Sequence, residues 1–591
     1  VTQVAVPPLC APESWTIVQS VPGVVSLPET QRRALVAQAE GNPFFLEELA
    51  WHAVEQGGWD APESVPETVH AVLAARIDRL PPEEKHLLQT AAVIGPEVPV
   101  PLLQALAEYS EAALQRGLAH LQAAEFLHET RLFPEPVYSF KHALTHEVAY
   151  SSLLQARRRT LHARIVEILE AFSPGRLAEQ GDRLAHHALR GEVWDKAVTF
   201  CQQIGTRAND HAAFGEARVA FEQALKALAH LHEDGDTRVM AIDLRLAMGD
   251  VLTPLGEHGR RLTLLGEAEA LARALDDRAR LGRVLVRRGD VLRVTGDTNS
   301  AIAAVQQALE LAVELGERAL EVQASHFLGR AYYVLGDFSQ AAELMRWNME
   351  AADRESSPPS AQYRIRSQAW LAWTLSELGA FTESRRHGEE ALRLANLVGR
   401  GVTPITAHGN LGHLCLAQGD LEYAVRVLDQ GQALCHASGN RTLWRQIAGD
   451  LGYALALQGR LAEGRVLLEE AISESIRTGA RQSPNWIARL SEVCRLAGLG
   501  EEAWQHARQA LDLARQQKVR GEEARALHQL GAVHAHADPP EVVPAETHYQ
   551  QALALADELG MRPLQAHCHL GLGTLYAVSM RHLFGDYCLD T

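Results

Sequence analysis

A small residue recurs through the last two-thirds of the chain at a near-constant interval. Gly249, Gly289, Gly329, Ala372, Gly412, Gly452, Ser491 and Gly531 follow one another at steps of 40, 40, 43, 40, 40, 39 and 40. Seven residues after each anchor comes a glycine: Gly256, Gly296, Gly336, Gly379, Gly419, Gly459 and Gly498. In the last unit Asp538-Pro539-Pro540 stands there instead. The 43 step holds Ser356-Ser357-Pro358-Pro359, a three-residue loop insertion. Small residues also recur 19 positions after the anchor, at Ala268, Ala308, Ala391, Gly431, Ala471 and Ala510, and a further glycine follows near position 27, at Gly316, Gly399, Gly439 and Gly479.

This spacing dictates a local structure. Glycine takes the left-handed conformation without a Cβ penalty and so ends helices. The stretch before each second glycine reads as helix A, and the stretch between it and the third reads as helix B. Small residues at the anchor and 19 further on let the two helices approach closely. Apolar residues keep helical spacing between them, as in Ala301-Ile302-Ala303-Ala304-Val305 and Ala308-Leu309. One such hairpin cannot bury its apolar face, whereas eight stacked hairpins make a continuous core. Proline agrees with this division: 16 of 25 prolines fall in residues 1–174, so shorter elements are expected there and nearly unbroken helix afterwards.

Composition excludes several classes. With 47% apolar and 22% charged residues, the chain is an ordinary globular protein and is not disordered throughout. At 591 residues it exceeds what one core serves. The net charge of −18 argues against general nucleic-acid binding. Seven scattered cysteines, without C-x-x-C, give no disulfide framework and no cysteine zinc site. No apolar run approaches a membrane span and no signal peptide is evident, so a cytoplasmic location without membrane contact is expected. The chain begins with Val1, which suggests a fragment.

The N-terminal third carries Gly41-Asn42-Pro43 at the start of a helix, then an amphipathic stretch over 66–80. Helices are expected from Pro81 to Gly95, near 100–108 and over 111–123. A hairpin follows, with strands at 126–128 and 137–140 and a turn around Pro134. Three helices plus a hairpin form the winged-helix pattern, and one long helix from about His142 to Phe172 is expected to lead into the repeats. The third helix of that pattern carries Glu111, Arg116, His120 and Glu125, a poor phosphate-binding face. His142 and His146, four apart, lack an evident third zinc ligand. Arg157-Arg158-Arg159 reads as a solvated helix face.

The run Phe327-Leu328-Gly329-Arg330-Ala331-Tyr332-Tyr333-Val334-Leu335-Gly336, followed by Ala341-Ala342, resembles the tetratricopeptide repeat. Its 40-residue period departs from the family's usual 34. GNPFFLEEL (41–49), VLAARIDRLPPEEKHLLQTAAVIG (72–95) and YSFKHALTHEVAYSSLLQARRRTLH (138–162) resemble the end of the ATPase module in bacterial signal-transduction ATPases with numerous domains. Such proteins often stand behind an adenylate/guanylate cyclase domain. The resemblance implies a mostly all-α chain, a tetratricopeptide-like superhelical solenoid preceded by a winged-helix domain and a helical remnant of an ATPase module. The expected division is 1–27 unassigned, 28–80 ATPase remnant, 81–175 winged helix with its long connecting helix, 176–230 degenerate repeats, 231–576 repeats and 577–591 a non-repeat tail.

The same resemblance implies cofactor contacts at Gly41, Asn42, Pro43 and His142, the proline near an adenine. No Gly-Lys pair occurs, so the phosphate-binding loop G-x-x-x-x-G-K-[ST] is absent. This chain alone is expected neither to bind a cofactor nor to hydrolyse ATP. ATP or ADP with magnesium would belong to a longer parent, its phosphate loop upstream of Val1. In tetratricopeptide arrays the A helices line the concave face. Partner-binding candidates there are Arg283, Arg287, Arg293, His326, Arg330, Tyr333, Arg366, Trp373, His413 and Tyr453, with Asp290 among them. Arginines mixed with aromatics suit a protein, a peptide or a small anionic effector. The two functions to weigh are the sensor arm of a signalling ATPase and a stand-alone interaction scaffold without nucleotide binding.

Overall fold

The computed structural model describes residues 8–57, 68–131, 135–172, 180–355, 357–399 and 401–584. The chain divides into two compact units, Val1–Phe200 and Cys201–Thr591.

In the first unit, the Asn42 side chain caps the helix Pro43–Gln56, its Oδ1 accepting from the Phe45 amide at 3.1 Å. Gly57, at φ 72°, ends that helix. Its buried face, Phe45, Leu46, Leu49, Ala50 and Ala53, packs on Val18, Val24 and Leu35. Val18 belongs to the helix Ala11–Ser20, within the stretch the sequence left unassigned. The helix Val69–Arg79 turns Arg76 inward, where it is 1% exposed. Its guanidinium donates to Glu48 (2.5 Å), Glu55 (2.8 Å) and the Ala124 carbonyl (2.8 Å). A buried cation needs that degree of satisfaction to be tolerated.

The elements Pro82–Ile94, Val100–Ala107 and Glu111–Ala123 are the three expected helices. Leu127–Arg131 and Val137–Phe140 pair antiparallel, Leu127 opposite Phe140. A third strand, Glu97–Pro99, lies on the other side of Val137–Phe140, with Glu97 opposite Ser139. The three residues Glu97–Pro99 are too short a run to show alternation, so the sequence did not reveal it. Pro134 lies outside the described residues.

The single long helix from His142 to Phe172 is corrected to two, Ala143–Ser151 and Gln155–Phe172. Consecutive serines end the first. Ser151 Oγ donates to the Val148 carbonyl (3.1 Å) and Ser152 Oγ to the Ala149 carbonyl (2.7 Å), competing with the helical ladder. Leu153 then turns into the core while Leu154 is exposed.

In the second unit the repeats are helical hairpins. The A helices are Gly235–Leu255, Arg278–Thr295, Arg318–Leu335, Pro358–Glu377, Val402–Gln418, Arg441–Leu457, Pro484–Leu496 and Arg520–Ala535. The B helices are His258–Ala274, Thr298–Leu315, Phe338–Glu355, Phe381–Val398, Leu421–Ser438, Leu461–Arg477, Gly500–Gln517 and Val542–Glu558. A ninth A helix, Arg562–Phe584, runs past Tyr576 into the expected tail. All seven glycines at the A–B turn have positive φ, between 74° and 104°. At Gly256 the left-handed residue lets its own N–H and that of Glu257 reach back to Thr253 and Leu252, satisfying the helix end.

Close approach explains the anchors. A Cβ on Gly289 would lie 2.3 Å from Val305 Cγ2, and one on Gly412 would lie 2.4 Å from Leu428. The third repeat breaks the rule: its residue 19 after the anchor is Asn348, fully buried. Its side chain donates to the Val322 carbonyl and accepts from Ser367 Oγ at 2.9 Å, and Ser367 Oγ meets His326 Nδ1 at 2.8 Å. A polar chain therefore replaces a small-residue contact at this level of the core.

Candidate functional site: the interior of the repeat superhelix

Stacked hairpins rotate by a small angle each, so the array winds. Here it closes on itself four to five repeats along. Thr442 Oγ1 donates to the Thr253 carbonyl (2.5 Å), the Arg481 amide donates to the Val294 carbonyl (2.7 Å), and Arg525 pairs with Glu377. The A helices thus face a common interior.

The largest space there is about 640 Å³. Arg287, Asp290, Arg293, Arg330 and Arg366 line it, with Arg261 from the first B helix and the rings of Phe327, Tyr363 and Trp370. Two smaller spaces, about 120 and 210 Å³, continue beyond it. Arg293 and Trp370 line both the largest and the middle one, and Arg525 and Asn485 line both smaller ones.

Asp290 organises the largest space. Its carboxylate is 3.0 Å from Arg261, 2.9 Å from Arg293 and 3.4 Å from Arg330. Burial would raise its pKa, but these three guanidinium groups hold it far below the usual carboxylate range. Arg287 is bound bidentately by Asp250 at 2.8 and 2.9 Å. Arg366 lies over the rings of Phe327 and Tyr363, without a carboxylate partner among the described residues. Burial and the neighbouring Arg293 disfavour charge on Arg330. A guanidinium does not give up its proton in proteins, so that unfavourable energy persists as repulsion.

The other candidates separate. Tyr333 donates to Glu377 at 3.0 Å and lines the middle space, as does Trp373. Trp373 stacks on Trp370 (centroids 5.1 Å) and on His413 (4.1 Å). His413 and Tyr453 line the last space; His413 lies 3.4 Å from both Glu377 and Asp450, and Tyr453 donates to Glu492 at 2.7 Å. Glu377 is held down to about 2, because Arg525 and His413 outweigh its burial. Two candidates need correction as concave-surface residues. His326 is fully buried in the polar chain with Ser367, and Arg283 is exposed outside these spaces, 3.7 Å from Glu317. The four-residue stripe along a helix cannot distinguish the concave face from the seam with the next helix.

Arg261 was missed, yet it carries a signal. The twelfth residue after the anchor is Ala301, Ala341, Ser384, Ala424, Gly464 and Ala503 in six successive repeats, and Arg261 in the first. A long cation at an otherwise small position must reach somewhere; here it passes beneath Gly249 towards Asp290. Arg445, also missed, is half-buried beside the middle space, with Ser475 as its hydrogen-bond partner among the described residues, at 3.3 Å.

In the first unit the fold brings Gly41, Asn42, Pro43 and His142 to one corner. The turn begins the helix bearing Phe44 and Glu47, and the His142 ring packs on Phe44 with centroids 4.0 Å apart. Its Nε2 is 3.9 Å from Glu47. Burial keeps His142 on the neutral side of its ordinary range. Lys141 is taken by Glu47 (2.6 Å) and Glu125 (2.7 Å). A Cβ on Gly41 would lie 2.6 Å from the Leu9 carbonyl, so residues 8–9 cover the turn. These residues do not fit a nucleotide's phosphates: the histidine faces a carboxylate and the lysine is neutralised. Among the described residues Cys494, Glu502 and His506 bring possible metal-ligating atoms within 4.8 Å, but Arg465 already binds Glu502 at 2.7 Å. No helix among the described residues is long and apolar enough to cross a membrane.

Comparison with known proteins gives three results. The tetratricopeptide repeat profile matches residues 280–353. An uncharacterized protein of Rhizobium meliloti (strain 1021) is 28% identical over 220 residues, 36% of this chain and 21% of that protein. A putative HTH-type transcriptional regulator of Mycobacterium tuberculosis is 28% identical over 193 residues, 33% of this chain and 21% of that protein. The chain thus matches about a fifth of the length of these curated relatives. Among solved structures, a Rap protein complexed with competence and sporulation factor is similar at TM-score 0.47 and 14% identity, over 62% of this chain and 98% of that one. A signal transduction ATPase with numerous domains and a tetratricopeptide repeat sensor, from Pyrococcus horikoshii, is similar at TM-score 0.37 and 13% identity, over 95% of this chain and 75% of that one. Residues 280–353 carry tetratricopeptide repeats, and the hairpins on either side continue them as one tetratricopeptide-like solenoid.

Proposed function

We propose that this chain is the ligand-reading arm of a signal-transduction ATPase. An effector binds inside the repeat superhelix, and the three-helix, three-strand module, read as a winged helix, relays that binding to a nucleotide switch. The observation that carries the reading is the interior space of about 640 Å³, lined by guanidinium groups and aromatic rings and open to solvent beside Gln362. Its size is that of a small-molecule pocket, so a compact effector or a short peptide end suits it better than a folded protein. Binding there would favour the closed winding over an opened one, which is how a ligand shifts a two-state equilibrium.

The ATPase part of the proposal rests on the segments 41–49, 72–95 and 138–162 and belongs to a longer parent; no nucleotide step is assigned to this chain. A phosphate-binding loop encoded ahead of Val1 would support it. The corner at His142 favours the second reading, a scaffold without nucleotide binding, and a start codon near Val1 would decide for that.

The ligand-binding claim is tested by a metabolite and short-peptide screen, read by thermal shift. Gln362 is exposed and lines the space, so Gln362→Trp should obstruct it while leaving the fold intact. Compounds that raise the melting temperature of the parent chain and not of Gln362→Trp are expected. Equal responses in both proteins would refute an interior ligand site.

A further inference from the structure

The charge around the largest interior space does not balance. Three guanidinium groups, of Arg261, Arg293 and Arg330, share one carboxylate, Asp290, and a fourth, of Arg366, has none among the described residues. The other two aspartates of the lining do not help: Asp250 is taken bidentately by Arg287, and Asp210 is exposed. The Nε groups of all four arginines are buried without a hydrogen-bond partner, although Arg261 is only 3% exposed. The protein's own acceptors thus leave these four guanidinium groups incompletely satisfied, which is uncommon for buried donors, and all four line the same space. Guanidinium forks match the planar oxygens of carboxylates and phosphates. The rings of Phe327, Tyr363 and Trp370 lie among these groups, Arg330 over Phe327 and Trp370 and Arg366 over Phe327 and Tyr363, and add apolar surface to the same lining.

We infer that this space binds a small organic oligoanion, a phosphate ester or a polycarboxylate, with its charged end on Arg261, Arg293, Arg330 and Arg366 and its body against the rings. The inference rests on the reading that the interior receives a ligand. It adds the ligand's chemistry, and with it which residues discriminate. Arg330 and Arg366 are the informative pair. Arg330 is the most weakly held of the three cations at Asp290, and Arg366 holds no carboxylate among the described residues, so replacing either leaves the Arg261–Asp290–Arg293 cluster in place.

Calorimetric titration of the full chain with pyrophosphate, glucose 6-phosphate and citrate, at ionic strength matched with sodium chloride, tests this. Saturable binding of at least one probe is expected, weakened tenfold or more by Arg330→Ala and by Arg366→Ala, with circular dichroism unchanged. Binding of the phosphates alone assigns a phosphate ester, and binding of citrate alone a polycarboxylate. Failure of every probe, or binding unchanged within twofold in both variants, overturns the oligoanion. An uncharged compound that Gln362→Trp excludes would likewise overturn it while sustaining the interior ligand site.

Discussion

The carboxylate of Glu377 receives the guanidinium of Arg525, 148 positions further along the chain. Both sit on A helices, and between them the array has completed a turn. The same carboxylate accepts from the Tyr333 hydroxyl at 3.0 Å, so one acidic group ties three repeats together. Removing one partner of a buried pair strands the other's charge, at a cost of about 3–5 kcal/mol. Glu377→Gln is therefore expected to lower the melting temperature and to increase the radius of gyration in small-angle scattering. The charge reversal Glu377→Arg with Arg525→Glu should recover most of both. An unchanged radius in Glu377→Gln would show that the backbone bond from Arg481 to Val294 and its neighbours close the winding alone.

Asp290 is the counter-ion on which three arginines converge. Asp290→Asn should destabilise the chain by a similar amount, about 3–5 kcal/mol, because three buried guanidinium groups are left facing one another. Sulfate should restore more of the loss than sodium chloride at equal ionic strength, since it can enter and bind where simple screening penetrates poorly. Melting curves of this variant in the two salts check the point; equal recovery would mean the arginines are solvated.

Glycine replacements separate close approach from mere helix propensity. A Cβ on Gly464 would lie 2.3 Å from the Gly452 carbonyl oxygen, backbone that cannot move aside. Gly464→Ala should cost about 1–3 kcal/mol by overpacking. Gly266, exposed within the helix His258–Ala274, has nothing within 4 Å of its added Cβ. Gly266→Ala should instead stabilise by about 0.5–1 kcal/mol, through the restricted unfolded chain. Thermal denaturation of the two variants, side by side, gives opposite signs if the packing is as described.

The first unit is expected to be acid-labile. His162 Nδ1 and His187 Nδ1 meet at 2.8 Å, and the Tyr150 hydroxyl meets His162 Nε2 at 3.0 Å. Burial first, then neighbouring cations and rings, pushes both histidines down to about 3. Their folded values lie below the unfolded value of about 6.5, so the unfolded chain binds more protons between these limits. Stability from this pair is complete above about pH 6.5 and is lost as pH falls towards 3. Hydrogen exchange across Gln155–Phe172 and Gly181–Arg190 should quicken at pH 5 relative to pH 7, after correction for intrinsic rates. His187→Gln should flatten that dependence; protection equal at both pH values in the native chain would contradict it.

Much of the hairpin geometry was legible in the glycines, because a helix end is a local event that one residue's φ decides. Gly256, Gly296 and Gly336 mark their turns without reference to anything distant. The two-helix break at Ser152 was not legible, since helical periodicity continues through it while two hydroxyls compete for the carbonyls. Arg293, Arg330 and Arg366, expected on the inner face from the resemblance to tetratricopeptide arrays, line the interior space. His326 does not, because its stripe lies between the inner face and the neighbouring helix, and only the Ser367 and Asn348 partners show which it joins. Arg261 and Asn348 were visible as violations of a small-residue rule, a signal that appears once the repeats are aligned by their anchors.

The sequence by itself determined that the second unit is a stack of helical hairpins, where each begins and ends, and that no phosphate-binding loop is present. Those properties depend on neighbours within about 40 residues. Tertiary structure decided how the stack winds and what its interior holds. The pairing of Thr253 with Thr442, Val294 with Arg481 and Glu377 with Arg525 follows from small rotations added over four or five repeats, and no spacing in the chain records their sum. That closure turned the expected concave face into an interior space, and a row of arginines into an unbalanced cluster around one aspartate.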